Sequence, residues 1–156
     1  MKLTGRRAAL LLFSCLFLMG FTAYAKESAF SLGMREFKKG SWQKAEKYFI
    51  TAATALPKNA NAIAMLGMTE YHLGRYSQAI DHLSKSIELK TSYTSRALYY
   101  RALAESKLGR KTAAEATFRK LITLYPDSKE ANKLGIAPQE VRTEILKSDA
   151  FLMSGT

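Results

Sequence analysis

Two hydrophobic patterns divide the chain. From Ala8 to Tyr24 runs an apolar stretch free of charged residues, preceded by Lys2, Arg6 and Arg7. Beyond Lys26 the apolar positions become periodic. A small and a large residue stand four apart at Ala45 and Phe49, at Ala79 and Leu83, and at Ala114 and Phe118, one helical turn apart on one face. Each pair follows a glycine, Gly40, Gly74 or Gly109, placed where a preceding helix should end in the left-handed conformation that a residue without Cβ adopts freely. Pro57 and Pro126 close two of the helices, because proline cannot continue one. The pattern therefore predicts three helix-turn-helix pairs. A short segment, Lys129 to Ala137, separates them from a last helix opening at Pro138, with Glu140 and Glu144 near its N-terminal end and Val141, Ile145 and Leu152 on one apolar stripe.

The three pairs are copies of one another. Gly33, Phe37, Gly40, Trp42 and Ala45 recur 34 positions later as Gly67, Tyr71, Gly74, Tyr76 and Ala79. A 34-residue period with these residue types resembles the tetratricopeptide repeat, whose units stack into a right-handed α-solenoid. The resemblance implies an all-α fold with repeats over 26–59, 60–94 and 95–128, capped by the C-terminal helix. Gly33 and Gly67 lie inside the first helices, where glycine costs ~1 kcal/mol against alanine, so they predict close approach of a neighbouring helix at Ala45 and Ala79. Phe49, Leu83 and Phe118 are expected to fill the core between helices. The third repeat has Arg101-Ala102 in place of Leu32-Gly33 and Leu66-Gly67. The second has Thr91 where the others have proline, and its second helix is expected to run long or to end in a looser turn.

The basic start, the apolar run and Ala23-Tyr24-Ala25 form a secretory signal with a cleavage site after Ala25. The competing reading is an uncleaved membrane anchor, since the run approaches the ~20 residues that span a bilayer. Arg6-Arg7 and Cys15 match twin-arginine and lipoprotein signals poorly. Cys15 is the single cysteine and would leave with the signal, which excludes disulfides and thiol chemistry from the remainder. Loss of Lys2, Arg6 and Arg7 would take the net charge of +11 to about +8, a balance that favours acidic proteins, anionic lipid headgroups or cell-wall polymers as neighbours. Nucleic acid does not suit an exported chain.

Candidate chemistry is sparse. His72 and His82 are ten residues apart with no ligand partner at metal spacing, Glu70 and His72 fall on different sides of a helix, and no phosphate-binding loop or Ser-His-acid order is present. The chain is read as non-enzymatic, without cofactor or metal. In the tetratricopeptide family the first helix of each pair lines a concave groove. The resemblance places Glu27, Phe30, Met34, Phe37 and Lys38 there from the first repeat, and Asn61, Ala64, Met68, Tyr71 and His72 from the second. The third supplies Arg96, Tyr99, Leu103, Ser106 and Lys107. That inventory suits a protein or peptide ligand with apolar anchors and some negative charge. The family clamp for a C-terminal carboxylate maps onto Phe30, Met34, Met65, Arg96 and Tyr100, of which Arg96 alone fits. The expectation is a periplasmic scaffold or adaptor in a bacterial envelope assembly, secretion or pilus system. A holdase for apolar client segments and an accessory regulator of a cell-wall enzyme are the alternatives.

Overall fold

The computed structural model describes residues 29–134. The signal over 1–25, Glu27 and the helix from Pro138 lie outside them. Helix α1 (29–38) pairs with α2 (Trp42–Ala55), α3 (Ala60–His72) with α4 (Tyr76–Glu88), and α5 (Thr94–Lys107) with α6 (Lys111–Leu124). Short turns make consecutive helices antiparallel, and each packs on the next from α2 to α6, while α3 also meets α5. The architecture is an all-α solenoid, with no strand among the described residues. A four-residue helix, α7 (Lys129–Asn132), occupies part of the segment expected to be linker, and packs against α5.

Glycine explains how closely the pairs pack. A Cβ built at Gly33 would stand 2.7 Å from the ring of Phe49; one at Gly67 would stand 2.8 Å from Leu83 Cγ and 3.2 Å from the carbonyl oxygen of Ala79. Phe49 and Leu83 are accordingly fully buried. Phe118 departs from that expectation. It occupies the same register in the third repeat, where Ala102 stands in place of the glycine of the first two. Phe118 is half-buried and rests against Tyr99, at 6.2 Å between ring centroids. Leu98 and Leu121, with Ala131 of α7, form the core at that end.

The helix ends follow from backbone chemistry. Gly40, Gly74 and Gly109 all have φ between +73° and +78°. At each, the glycine N–H donates to Phe37, Tyr71 or Ser106, and the next N–H reaches back to Glu36, Glu70 or Glu105, which satisfies two carbonyls left over at a helix end. Helix α4 uses the same motif instead of running long or loosening. Thr91 N–H donates to Ser86 O and Lys90 N–H to Ile87 O, with Lys90 at φ 58°. A side chain is strained there, so Lys90→Gly should raise stability by about 0.5–1 kcal/mol in urea unfolding. An unchanged or lower midpoint would contradict this account of the turn.

Candidate functional site

The first helices carry one row of partly covered side chains. Phe30, Met34 and Phe37 on α1, Tyr71 and His72 on α3, and Arg96, Tyr99 and Leu103 on α5 are all half-buried, and Lys38, Ser106 and Lys107 are exposed. The phenyl ring of Phe37 meets Trp42 edge-on at 5.0 Å, and Trp42 stacks on His72 at 4.0 Å with 5° between planes. Tyr71 then meets Tyr100 at 5.2 Å, Tyr100 meets Tyr99 at 5.7 Å, and His72 Nε2 lies 3.3 Å from the Tyr100 hydroxyl. One aromatic chain thus crosses all three repeats. Trp42, Tyr76 and Tyr100 belong to it although the groove register does not include them; the equivalence of Trp42 and Tyr76 in the repeat was the available signal. Leu103 stands apart. It is half-buried yet belongs to neither apolar core cluster, so its side chain is the groove apolar group least committed to packing.

Four expected groove residues are used otherwise. Met68 is fully buried in the core, as is Ala64, because α3 is hemmed by α2, α4 and α5 and buried at every position from Ala62 to Glu70. Asn61 ties down the α4–α5 turn: its Oδ1 accepts from Thr91 Oγ1 at 2.8 Å and from the N–H and hydroxyl of Ser92 at 3.0 Å. Arg96 donates to Glu130 of α7 at 3.3 Å, beside Ser95, and its guanidinium lies over the Tyr93 ring. The one residue that matched the carboxylate clamp is therefore engaged by a carboxylate of the chain itself.

A second feature is a buried glutamate in each repeat, Glu36, Glu70 and Glu105, at one register position. Lys39 donates to Glu36 at 3.0 Å, and Glu105 accepts from Arg101 at 2.9 Å and Thr117 at 2.8 Å. Glu70 pairs with His82 Nδ1 at 2.7 Å rather than standing near His72. The hydrogen bond to Glu70 raises the His82 pKa above 6.5, against burial and Lys85, while burial among rings lowers that of His72 below 6.5. The signs differ in consequence. The His82 contribution is fully present below pH 6.5 and is lost as pH rises through its higher folded value. The His72 contribution is present above pH 6.5 and is lost as pH falls through its lower folded value. Melting temperature across the histidine range should therefore peak near the unperturbed value, and His82→Asn should flatten the alkaline side. An unaltered alkaline slope in that variant would refute the assignment.

No group of three His, Cys, Asp or Glu side chains able to hold a metal converges among the described residues. Tetratricopeptide repeat models match residues 30–94 and 96–128. The chain belongs to the tetratricopeptide repeat family. Its repeats resemble human peptidyl-prolyl cis-trans isomerase FKBP4 at 26% identity, over 81% of this chain and 28% of that protein. The Hsp70-Hsp90 organising protein of Plasmodium falciparum is 28% identical over 79% of this chain and 47% of its own length. The chain thus spans about a quarter to a half of these relatives. Among solved structures, the tetratricopeptide domain of Arabidopsis OM64 superposes with a TM-score of 0.65 at 24% identity, over 78% of this chain and 97% of that one. The second such domain of human RPAP3, solved with the HSP70 peptide SGPTIEEVD, gives 0.60 at 23%, over 75% and 98%. These likenesses establish the tetratricopeptide solenoid.

Proposed function

We propose that the protein is a non-catalytic tetratricopeptide scaffold that holds an extended or helical peptide of a partner protein across its first helices. The observation that carries this reading is the row of half-buried apolar and aromatic groups from Met34 through Tyr71 to Leu103, each partly open to solvent, with Tyr99 beside it against Phe118 and Lys133. Exposed Lys38 and Lys107 at the ends of α1 and α5 favour a ligand with negative charge beside its apolar anchors. The peptide in the RPAP3 complex has that composition, and supports the reading by analogy. Of the clamp residues Arg96 alone is present, and Glu130 engages it, so the register of recognition differs from a carboxylate-capped tail. The signal-like N-terminus supports export to a bacterial envelope, where the scaffold would serve an assembly or secretion system; N-terminal sequencing of the protein from its host should then begin at Lys26.

Leu103→Ala and Tyr99→Ala test the face. Each should weaken a display-selected peptide by at least tenfold, about 1.4 kcal/mol, while the melting temperature of Leu103→Ala stays close to that of the unaltered protein. Lys120→Ala, exposed on α6, should bind normally. Full affinity in both groove variants would reject this face.

A further inference from the structure

The two edges of the solenoid differ in charge. Antiparallel pairing brings the α1–α2, α3–α4 and α5–α6 turns to one edge, as the Trp42–His72 stack between the first two shows. In the equivalent spans 38–44, 72–78 and 107–113 there are seven cations, Lys38, Lys39, Lys44, Arg75, Lys107, Arg110 and Lys111, and no Asp or Glu. The opposite edge, spans 55–61, 89–95 and 124–130, has three, Lys58, Lys90 and Lys129, beside Asp127 and a Glu130 that Arg96 engages. Lys39 pairs with Glu36, and Arg75 with Glu46. The other five cations of the basic edge are exposed and have no ion-pair partner among the described residues. Helices α2, α4 and α6 also start at this edge without an acidic residue in their first turns, so their backbone dipoles add to the positive field rather than offset it.

From this juxtaposition we infer that the edge formed by the three within-repeat turns docks on an anionic phospholipid surface, sharing only Lys38 and Lys107 with the first-helix face. The shape favours lipid over an acidic polypeptide. The cations stand on three projecting turns in a row, not inside a channel that would grip one chain, and Leu108 projects among them at 41% exposure as an apolar tip. Headgroups need no fixed hydrogen-bond geometry, which suits unpaired, separately solvated lysines.

Lysine acetylation footprinting of the full chain on vesicles tests this however the apolar run of the leader sits. Phosphatidylglycerol-containing vesicles are compared with pure phosphatidylcholine. Modification of Lys44, Lys107 and Lys111 should slow at least about threefold on the anionic vesicles, with Lys58, Lys90 and Lys129 unaffected, and added salt should remove the difference. In the variant Lys44→Gln, Arg110→Gln, Lys111→Gln, the remaining protection of Lys107 should fall toward the phosphatidylcholine rate. Equal rates at both edges would overturn the proposal. So would protection by soluble polyglutamate with none on anionic vesicles, which would assign the edge to an acidic polypeptide instead.

Discussion

Gly67→Val should destabilise the protein by about 3 kcal/mol, and lower its melting temperature by roughly 12 °C or more. A Cβ at that position would stand 2.8 Å from Leu83 Cγ, 3.1 Å from the backbone nitrogen of Leu83 and 3.2 Å from Ala79 O. Two of those three atoms are backbone, so no rotamer change relieves the contact and α4 itself must move. Gly74→Val separates this mechanism from left-handed strain. Nothing lies within 4 Å of a Cβ at Gly74, whose φ is +78°, so its cost of about 1–2 kcal/mol comes from the backbone alone. Equal losses in thermal unfolding would show that the close packing of α3 on α4 is not what the glycine serves.

Phe49→Ala should cost about 3–5 kcal/mol, a large share of the 5–15 kcal/mol that holds an ordinary domain folded. The ring is fully buried, contacts Phe30 at 5.7 Å and Phe37 at 6.4 Å between centroids, and lies over Gly33. Ring and glycine are therefore coupled. Gly33→Ala alone should destabilise the protein, because three ring atoms would lie within 3.0 Å of the new methyl. Beside Phe49→Leu the same change should cost less, with a coupling of at least about 1 kcal/mol in a double-mutant cycle by urea unfolding. Strict additivity would mean that the ring yields freely.

These features were legible because they are local or repeated. Gly40, Gly74 and Gly109 announce helix ends through backbone conformation alone, and the spacing of Ala45 to Phe49 places both on one face whatever surrounds them. Phe118 shows the limit of the repeat as a guide: its own residue type fits the register, yet the ring is only half-buried, against Tyr99, in a repeat that has Ala102 in place of the glycine. Asn61 and Arg96 fail for a similar reason. Their groove positions are right for the family, yet Thr91, Ser92 and Glu130, all some thirty residues distant, engage their polar groups. The separation of Glu70 from His72 was legible from helix geometry, but the Glu70–His82 pair was not, because only the α3–α4 hairpin brings those two residues, on different helices, into range. Met68 was misplaced because Ala62 to Met68 runs without a polar side chain, so the sequence does not distinguish its core face from an open one.

Where a bound peptide lies tests the central claim most directly. Isotope-labelled full-length protein, titrated with a peptide selected against it by display, reports this through its backbone amide, methyl and aromatic resonances. The account predicts the largest shift changes at Met34, Tyr71, Tyr99 and Leu103, with Arg119, Lys120 and Thr123 on the exposed face of α6 unmoved. Changes confined to that α6 face, with Met34 and Leu103 unmoved, would contradict it.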